Sequence, residues 1–170
     1  MTDAPTKQVL TKAEILQKVK RLAFEIYEHH FGEQQICLAG IQGRGFQLAG
    51  LIAEQLRQIS QLEVTLISVE VDKESPLQSE IALSQPIEQL SNQVIILVDD
   101  VLNTGRTLAY ALKPFLNVEV KILQVAVLVD RGYPQFPVQA TYVGYALSTT
   151  LQERVEVVFE QEQPVAVYLK

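Results

Sequence analysis

The residues with the clearest chemical content lie in one unbroken run, ValIleIleLeuValAspAspValLeuAsnThrGlyArgThr, residues 94 to 107. A continuous aliphatic segment, as expected for a strand buried on both faces, ends in two adjacent carboxylates, Asp99 and Asp100. A turn containing Asn103, Thr104, Gly105, Arg106 and Thr107 then opens a helical pattern. Such a turn suits a sugar phosphate. Backbone N–H groups of the turn and the helix start point at an anion, with the Thr104 and Thr107 hydroxyls as further donors. Gly105 lets the backbone come close to the phosphate. Asp99 and Asp100 are placed to accept hydrogen bonds from a pair of sugar hydroxyls. Taken singly, each feature has a plainer reading, since two acids after a strand are ordinary turn residues and ThrGlyArgThr is an ordinary helix start. Their coincidence in one run favours the ligand site.

A second glycine-rich turn, GlyIleGlnGlyArgGly at residues 40 to 45, follows a short apolar run, Ile36 to Ala39. It contributes Gln42, Gly43, Gly45 and Arg44, whose planar guanidinium is a permanent cation suited to a diphosphate. Neither turn fits the other common phosphate loops. The first lacks the GlyLys pair of a Walker A loop, and the second does not match GxGxxG.

Around these turns, strand and helix patterns alternate. Thr11 and Glu14 form a capping-box pattern, and Ile15, Leu16, Val19, Leu22, Ala23 and Ile26 recur at helical spacing up to Gly32. A second helix passes through Leu48, Leu51, Ile52 and Leu56, and a third runs from the Thr104 turn to about Leu116. Further strands are expected at Val64 to Val71, within Val118 to Val129, and at Tyr142 to Tyr145, Val155 to Phe159 and Val165 to Tyr168. The polar stretch from Asp72 to about Gln85 is long enough to be a lid or binding loop. This order predicts an α/β domain over residues 1–170, with a mainly parallel sheet flanked by helices and ligands at the carboxyl ends of the strands.

Bulk properties narrow the setting. With 48% hydrophobic residues the chain is not disordered by composition. Fourteen Lys+Arg against twenty Asp+Glu give a net charge of −6, which opposes nonspecific nucleic-acid binding. Cys37, the single cysteine, sits in an apolar run and reads as a small core residue. Residues 1–8 carry no apolar signal region and no run is long enough to span a bilayer, so a cytoplasmic protein is expected.

Residues 94 to 107 resemble the signature of type I phosphoribosyltransferases. ValLeuValAspArgGly at 127 to 132, TyrValGly at 142 to 144 and the first helix resemble the pyrimidine-operon regulator (PyrR) family of uracil phosphoribosyltransferases. The similarity covers nearly the whole chain and is weakest between residues 68 and 93. It implies a small hood beside the main sheet, and 5-phosphoribosyl-1-pyrophosphate as substrate, with Mg²⁺. Asp99 and Asp100 would bind the ribose hydroxyls and metal, residues 103 to 107 the 5′-phosphate, and the loop at 40 to 45 the diphosphate. That loop carries a strained cis peptide in the family, here expected at Gln42–Gly43. The base would lie under the segment from Asp130 and Arg131 to Tyr145, read by backbone groups around Val143. Tyr145 is a candidate for stacking on the ring, with a core tyrosine as the alternative.

Asn103 bears on the choice of base. Purine enzymes of the class place an acid before ThrGly, and a neutral amide cannot serve as that general base, which favours a pyrimidine. The chain also departs from the uracil pattern. Val71 and Asp72 stand where the family has a Tyr-Arg pair in its lid, leaving Lys73 as a point charge, while Thr141 and Tyr145 replace an Asp and a Lys. The resemblance thus implies uracil phosphoribosyl transfer by a homo-oligomer. The alternatives are transfer to another base, or a nucleotide sensor that binds RNA, which the acidic composition disfavours.

Overall fold

In the computed structural model, residues 6 to 170 are described; most of the residue 1–8 segment read for a signal lies outside them. The chain begins with β1 (Lys7–Thr11), which the sequence reading did not anticipate, and α1 (Lys12–His30). The Thr11 hydroxyl accepts the Glu14 N–H at 3.3 Å, and the Glu14 carboxylate accepts the Thr11 N–H at 2.7 Å, so the capping box forms as expected. Next come β2 (Gln35–Ile41), α2 (Arg44–Ile59), β3 (Glu63–Glu70), β4 (Ala82–Leu83) and β5 (Val94–Leu102). The last elements are α3 (Arg106–Ala111), β6 (Ile122–Asp130), β7 (Tyr142–Ala146), β8 (Val155–Glu160) and β9 (Gln163–Leu169).

Six strands form the main sheet in the order β4-β3-β2-β5-β6-β7. All its pairings are parallel except that of the two-residue β4, which lies antiparallel on β3 inside the segment expected to be a loop. Alternate residues of each central strand feed two cores. Leu38, Ile96 and Leu128 pack beneath α1 and α2, and Cys37, Ile95 and Val127 face Leu108, Ala111 and Phe115. Helices therefore cover both faces, as the aliphatic runs require.

Two boundaries differ from expectation for local reasons. The third helix stops at Ala111 and continues as a 3-10 turn, Lys113–Asn117, because Pro114 has no N–H for a bond four residues back. The strand of the first motif runs on through both acids to Leu102, since Asp99 still pairs with Val127 and Leu102 with Asp130.

A second sheet of three antiparallel strands, in the order β1-β9-β8, forms a small hood. Leu10, Val157 and Val167 from the hood join the same hydrophobic cluster as α1 and α2, which fixes it to the main sheet. No helix among the described residues is long and apolar enough to cross a membrane.

Candidate active site

The chain leaves β2 on one side to build β3 and returns on the other side as β5, so the strand order reverses between β2 and β5. Crevices form at such reversals, beyond the carboxyl ends of the strands. Both glycine-rich turns open there. They contact directly at Gly45, where an added β-carbon would stand 2.8 Å from the Val98 carbonyl oxygen and 2.9 Å from Asp99 Oδ1. Only glycine lets α2 start this close to the end of β5.

A cavity of about 630 Å³ occupies the crevice. Its floor is the run from Asp99 to Leu108, and Arg44 enters from the start of α2. Gly105 takes φ 84°, and a β-carbon there would meet the Phe136 carbonyl oxygen at 3.3 Å. The loop after β6 is tied over this turn by the Thr104 carbonyl, which accepts the N–H groups of Gln135 and Phe136 at 2.9 and 3.0 Å. The Thr104 hydroxyl accepts the Arg106 N–H at 3.3 Å.

The electrostatics are uneven. Arg44, Lys73, Arg106, Arg131 and Arg154 line the cavity, five of the fourteen basic residues of an acidic chain. Against them stand two carboxylates, Asp99 and Asp100, 4% and 8% exposed. Burial, and then the neighbouring Asp100 charge, hold the Asp99 carboxyl well above the usual carboxylate range, opposed by the Lys73 ammonium. Asp99 Oδ1 accepts the Asp100 N–H at 2.9 Å, and Asp100 Oδ1 accepts the Val101 N–H at 2.9 Å. Arg44 bridges outward, 4.0 Å from Asp100 and 3.9 Å from Glu156 in the hood. Glu156 also pairs with Lys170, the first cause of its lowered pKa.

Among the described residues no group of three or more His, Cys, Asp or Glu cages a metal. The adjacent pair still suits Mg²⁺, which takes one or two carboxylates and fills its remaining positions with water and substrate phosphate.

Of the residues singled out from sequence, Asp99, Asp100, Arg44, Asn103, Thr104, Gly105, Arg106, Thr107 and Arg131 converge on the cavity. Gln42, Gly43 and Asp130 support its loops without lining it. The Gln42 N–H is bonded to the Val69 carbonyl at 2.8 Å, and Asp130 Oδ1 accepts the Gly132 N–H at 2.9 Å.

One expectation is corrected. The Gln42–Gly43 peptide is trans, and the turn is made instead by Gly43 at φ 94°. Val143 and Tyr145, expected near the base, are not among the residues lining this cavity. The carbonyls of Val143 and Gly144 accept from the Arg21 guanidinium of α1, and the Tyr145 ring lies 5.8 Å from the Lys18 ammonium. The cavity wall also includes Tyr133, Gln135, Leu151 and Arg154, which the sequence reading missed. No motif marks Arg154. Its place follows from backbone bonds of 2.8 and 2.9 Å to Lys170, and hence from the β8–β9 register.

A family profile described as "Phosphoribosyl transferase domain" matches residues 5–162. The chain belongs to this family. Among its relatives is the "Bifunctional protein PyrR" of Leuconostoc mesenteroides, 34% identical over 164 residues, covering 93% of each chain. The protein of the same name from Deinococcus deserti is 36% identical, covering 91% of this chain and 88% of its own. Solved phosphoribosyltransferases share the fold. The hypoxanthine phosphoribosyltransferase of Trypanosoma cruzi superposes with a TM-score of 0.76 at 18% identity, covering 94% of this chain and 95% of its own. The hypoxanthine-guanine enzyme of Bacillus anthracis gives 0.70 at 20%, covering 86% of each. The six-stranded sheet flanked by helices is thus a type I phosphoribosyltransferase fold.

Proposed function

We propose that the chain transfers the phosphoribosyl group of 5-phosphoribosyl-1-pyrophosphate to uracil, releasing uridine monophosphate and diphosphate. The observation that carries this is the pairing of two buried acids with a surrounding set of cations in one crevice. Asp99 and Asp100 accept the ribose hydroxyls, while the turn from Asn103 to Thr107 holds the 5′-phosphate. Arg44 and Lys73 receive the diphosphate as negative charge builds on it during bond cleavage. Asp99 and Asp100 would hold Mg²⁺, which when bound would supply positive charge to the diphosphate. Uracil is favoured over a purine because Asn103 offers a neutral amide where a purine enzyme needs a base. The like-named relatives support a pyrimidine role, and by the same resemblance we expect a homo-oligomer, which sedimentation tests. The lone, buried Cys37 suits a reducing cytoplasm.

Labelled 5-phosphoribosyl-1-pyrophosphate with a panel of uracil, guanine, hypoxanthine and orotate tests the reading. Uracil alone should support measurable diphosphate release, slower than in relatives that carry the lid arginine. No release with any base, alongside intact nucleotide binding, would replace the enzyme with a nucleotide sensor.

A further inference from the structure

Arg131 is 6% exposed, and among the described residues no carboxylate lies within 4.0 Å of its guanidinium. A buried cation with no carboxylate in contact is expensive unless neutral dipoles or a ligand compensate it. Neutral partners take three of its five N–H groups. Nε donates to the Thr149 hydroxyl at 2.8 Å, Nη1 to Asn103 Oδ1 at 2.6 Å and Nη2 to the Thr150 carbonyl at 3.0 Å. The Thr149 hydroxyl donates back to the Arg131 carbonyl at 3.0 Å, and the Tyr133 ring centre lies 5.0 Å from the guanidinium carbon. Arg131 thus clamps together the loops that follow β5, β6 and β7.

This clamp decides how Asn103 is turned. A guanidinium only donates, so the amide must give it the oxygen, which commits Oδ1 and leaves the Asn103 NH₂ for other partners. Both residues line the cavity. That stretch of wall therefore turns N–H groups toward a ligand, while the Asn103 oxygen is already engaged by Arg131.

Its position relative to the acids follows from the strand order. Arg44 lies on the β2 side of Asp99 and Asp100, and Arg131 on the β6 side. In-line displacement at the sugar carbon brings the incoming nitrogen in opposite the departing diphosphate. With Arg44 at the diphosphate, the base lies toward β6.

We propose that Asn103 and Arg131 form a donor-rich wall that selects a nucleobase for its ring carbonyls and disfavours one carrying an amino group at the same edge. The inference rests on the phosphoribosyl reading and names the determinant of base choice within it. Uracil presents carbonyl oxygens on both sides of its ring N–H. Cytosine replaces one with an amino group, which would set donor against donor at Arg131. Sites built on buried hydrogen bonds discriminate strongly, because a mismatch leaves polar groups unpaired.

Calorimetric titration of the full chain, with Mg²⁺, against uridine monophosphate, cytidine monophosphate and ribose 5-phosphate tests this. Uridine monophosphate should bind at least about tenfold more tightly than cytidine monophosphate. Equal affinities would overturn the wall and leave the phosphoribosyl reading intact. No binding of any of the three, ribose 5-phosphate included, would overturn both. Asn103→Leu, similar in size but without the amide, should lower the ratio of uridine monophosphate to ribose 5-phosphate affinity by about tenfold. An unchanged ratio rules Asn103 out. If that variant does not fold, Arg131→Lys gives the second measurement. It keeps the charge but loses the planar clamp, and should bring the two nucleotides toward equal affinity; retention of the full preference counts against the wall.

Discussion

Gly45 and Asp99 are in van der Waals contact across the crevice: any β-carbon at position 45 would stand 2.9 Å from Asp99 Oδ1. The carboxylate proposed to bind the sugar is thus held by the start of α2 as well as by its own strand. Gly45→Ala should therefore move Asp99 and cost about 1–3 kcal/mol of stability through overpacking. Denaturant unfolding and ribose 5-phosphate titration should both register the loss. Gly50, mid-helix with nothing within 4 Å of an added β-carbon, is the control. Gly50→Ala should stabilise by about 0.5–1 kcal/mol.

Asp99 makes the ligand-free protein pH-sensitive. Its carboxyl is raised in the folded state, first by burial and then by Asp100. The folded chain then binds more protons than the unfolded one above the unfolded carboxyl value of about 3.9. Stability from this group is accordingly lost as pH rises from there through the folded value. Asp99→Asn, which can keep the bond from the Asp100 N–H, should melt about 2–4 °C higher than the parent near neutral pH. That gain should shrink as pH falls toward the usual carboxylate range. Melting curves across pH check it.

Arg154 reaches the cavity from the hood, and its backbone rather than its side chain carries the bonds to Lys170. Arg154→Ala should leave the melting temperature nearly unchanged and weaken diphosphate binding by about tenfold, the scale of one hydrogen bond to a charged group. Competition between diphosphate and a labelled substrate reads the change.

Cys37 is fully buried in the core beneath α3, and burial pushes its thiol up to about 12. Iodoacetamide at neutral pH should leave the folded protein unmodified and alkylate it after unfolding in denaturant. Mass spectrometry distinguishes the two, and rapid labelling of the native chain would contradict the burial.

The legible parts of this molecule are those written in consecutive residues. Val94 to Thr107 holds a buried strand, an acid pair and a turn in one stretch, and the structure brings the same residues to the cavity floor. The capping box of α1 is equally local. The hood was harder to read because β1 pairs Lys7 with Leu169, a contact between chain positions that share no local pattern. Arg154 was hidden for the same reason. At Val143 and Tyr145 the resemblance speaks of the base, and no local pattern announces that α1 reaches them through Arg21 and Lys18. The orientation of Asn103 depends on Arg131, 28 residues away, and no spacing rule carries that information.

Because so many basic side chains are gathered in one hollow, the remaining exterior is more acidic than the net charge of −6 conveys. A compact phosphate ester that enters the hollow meets an attractive field which the overall charge does not reveal.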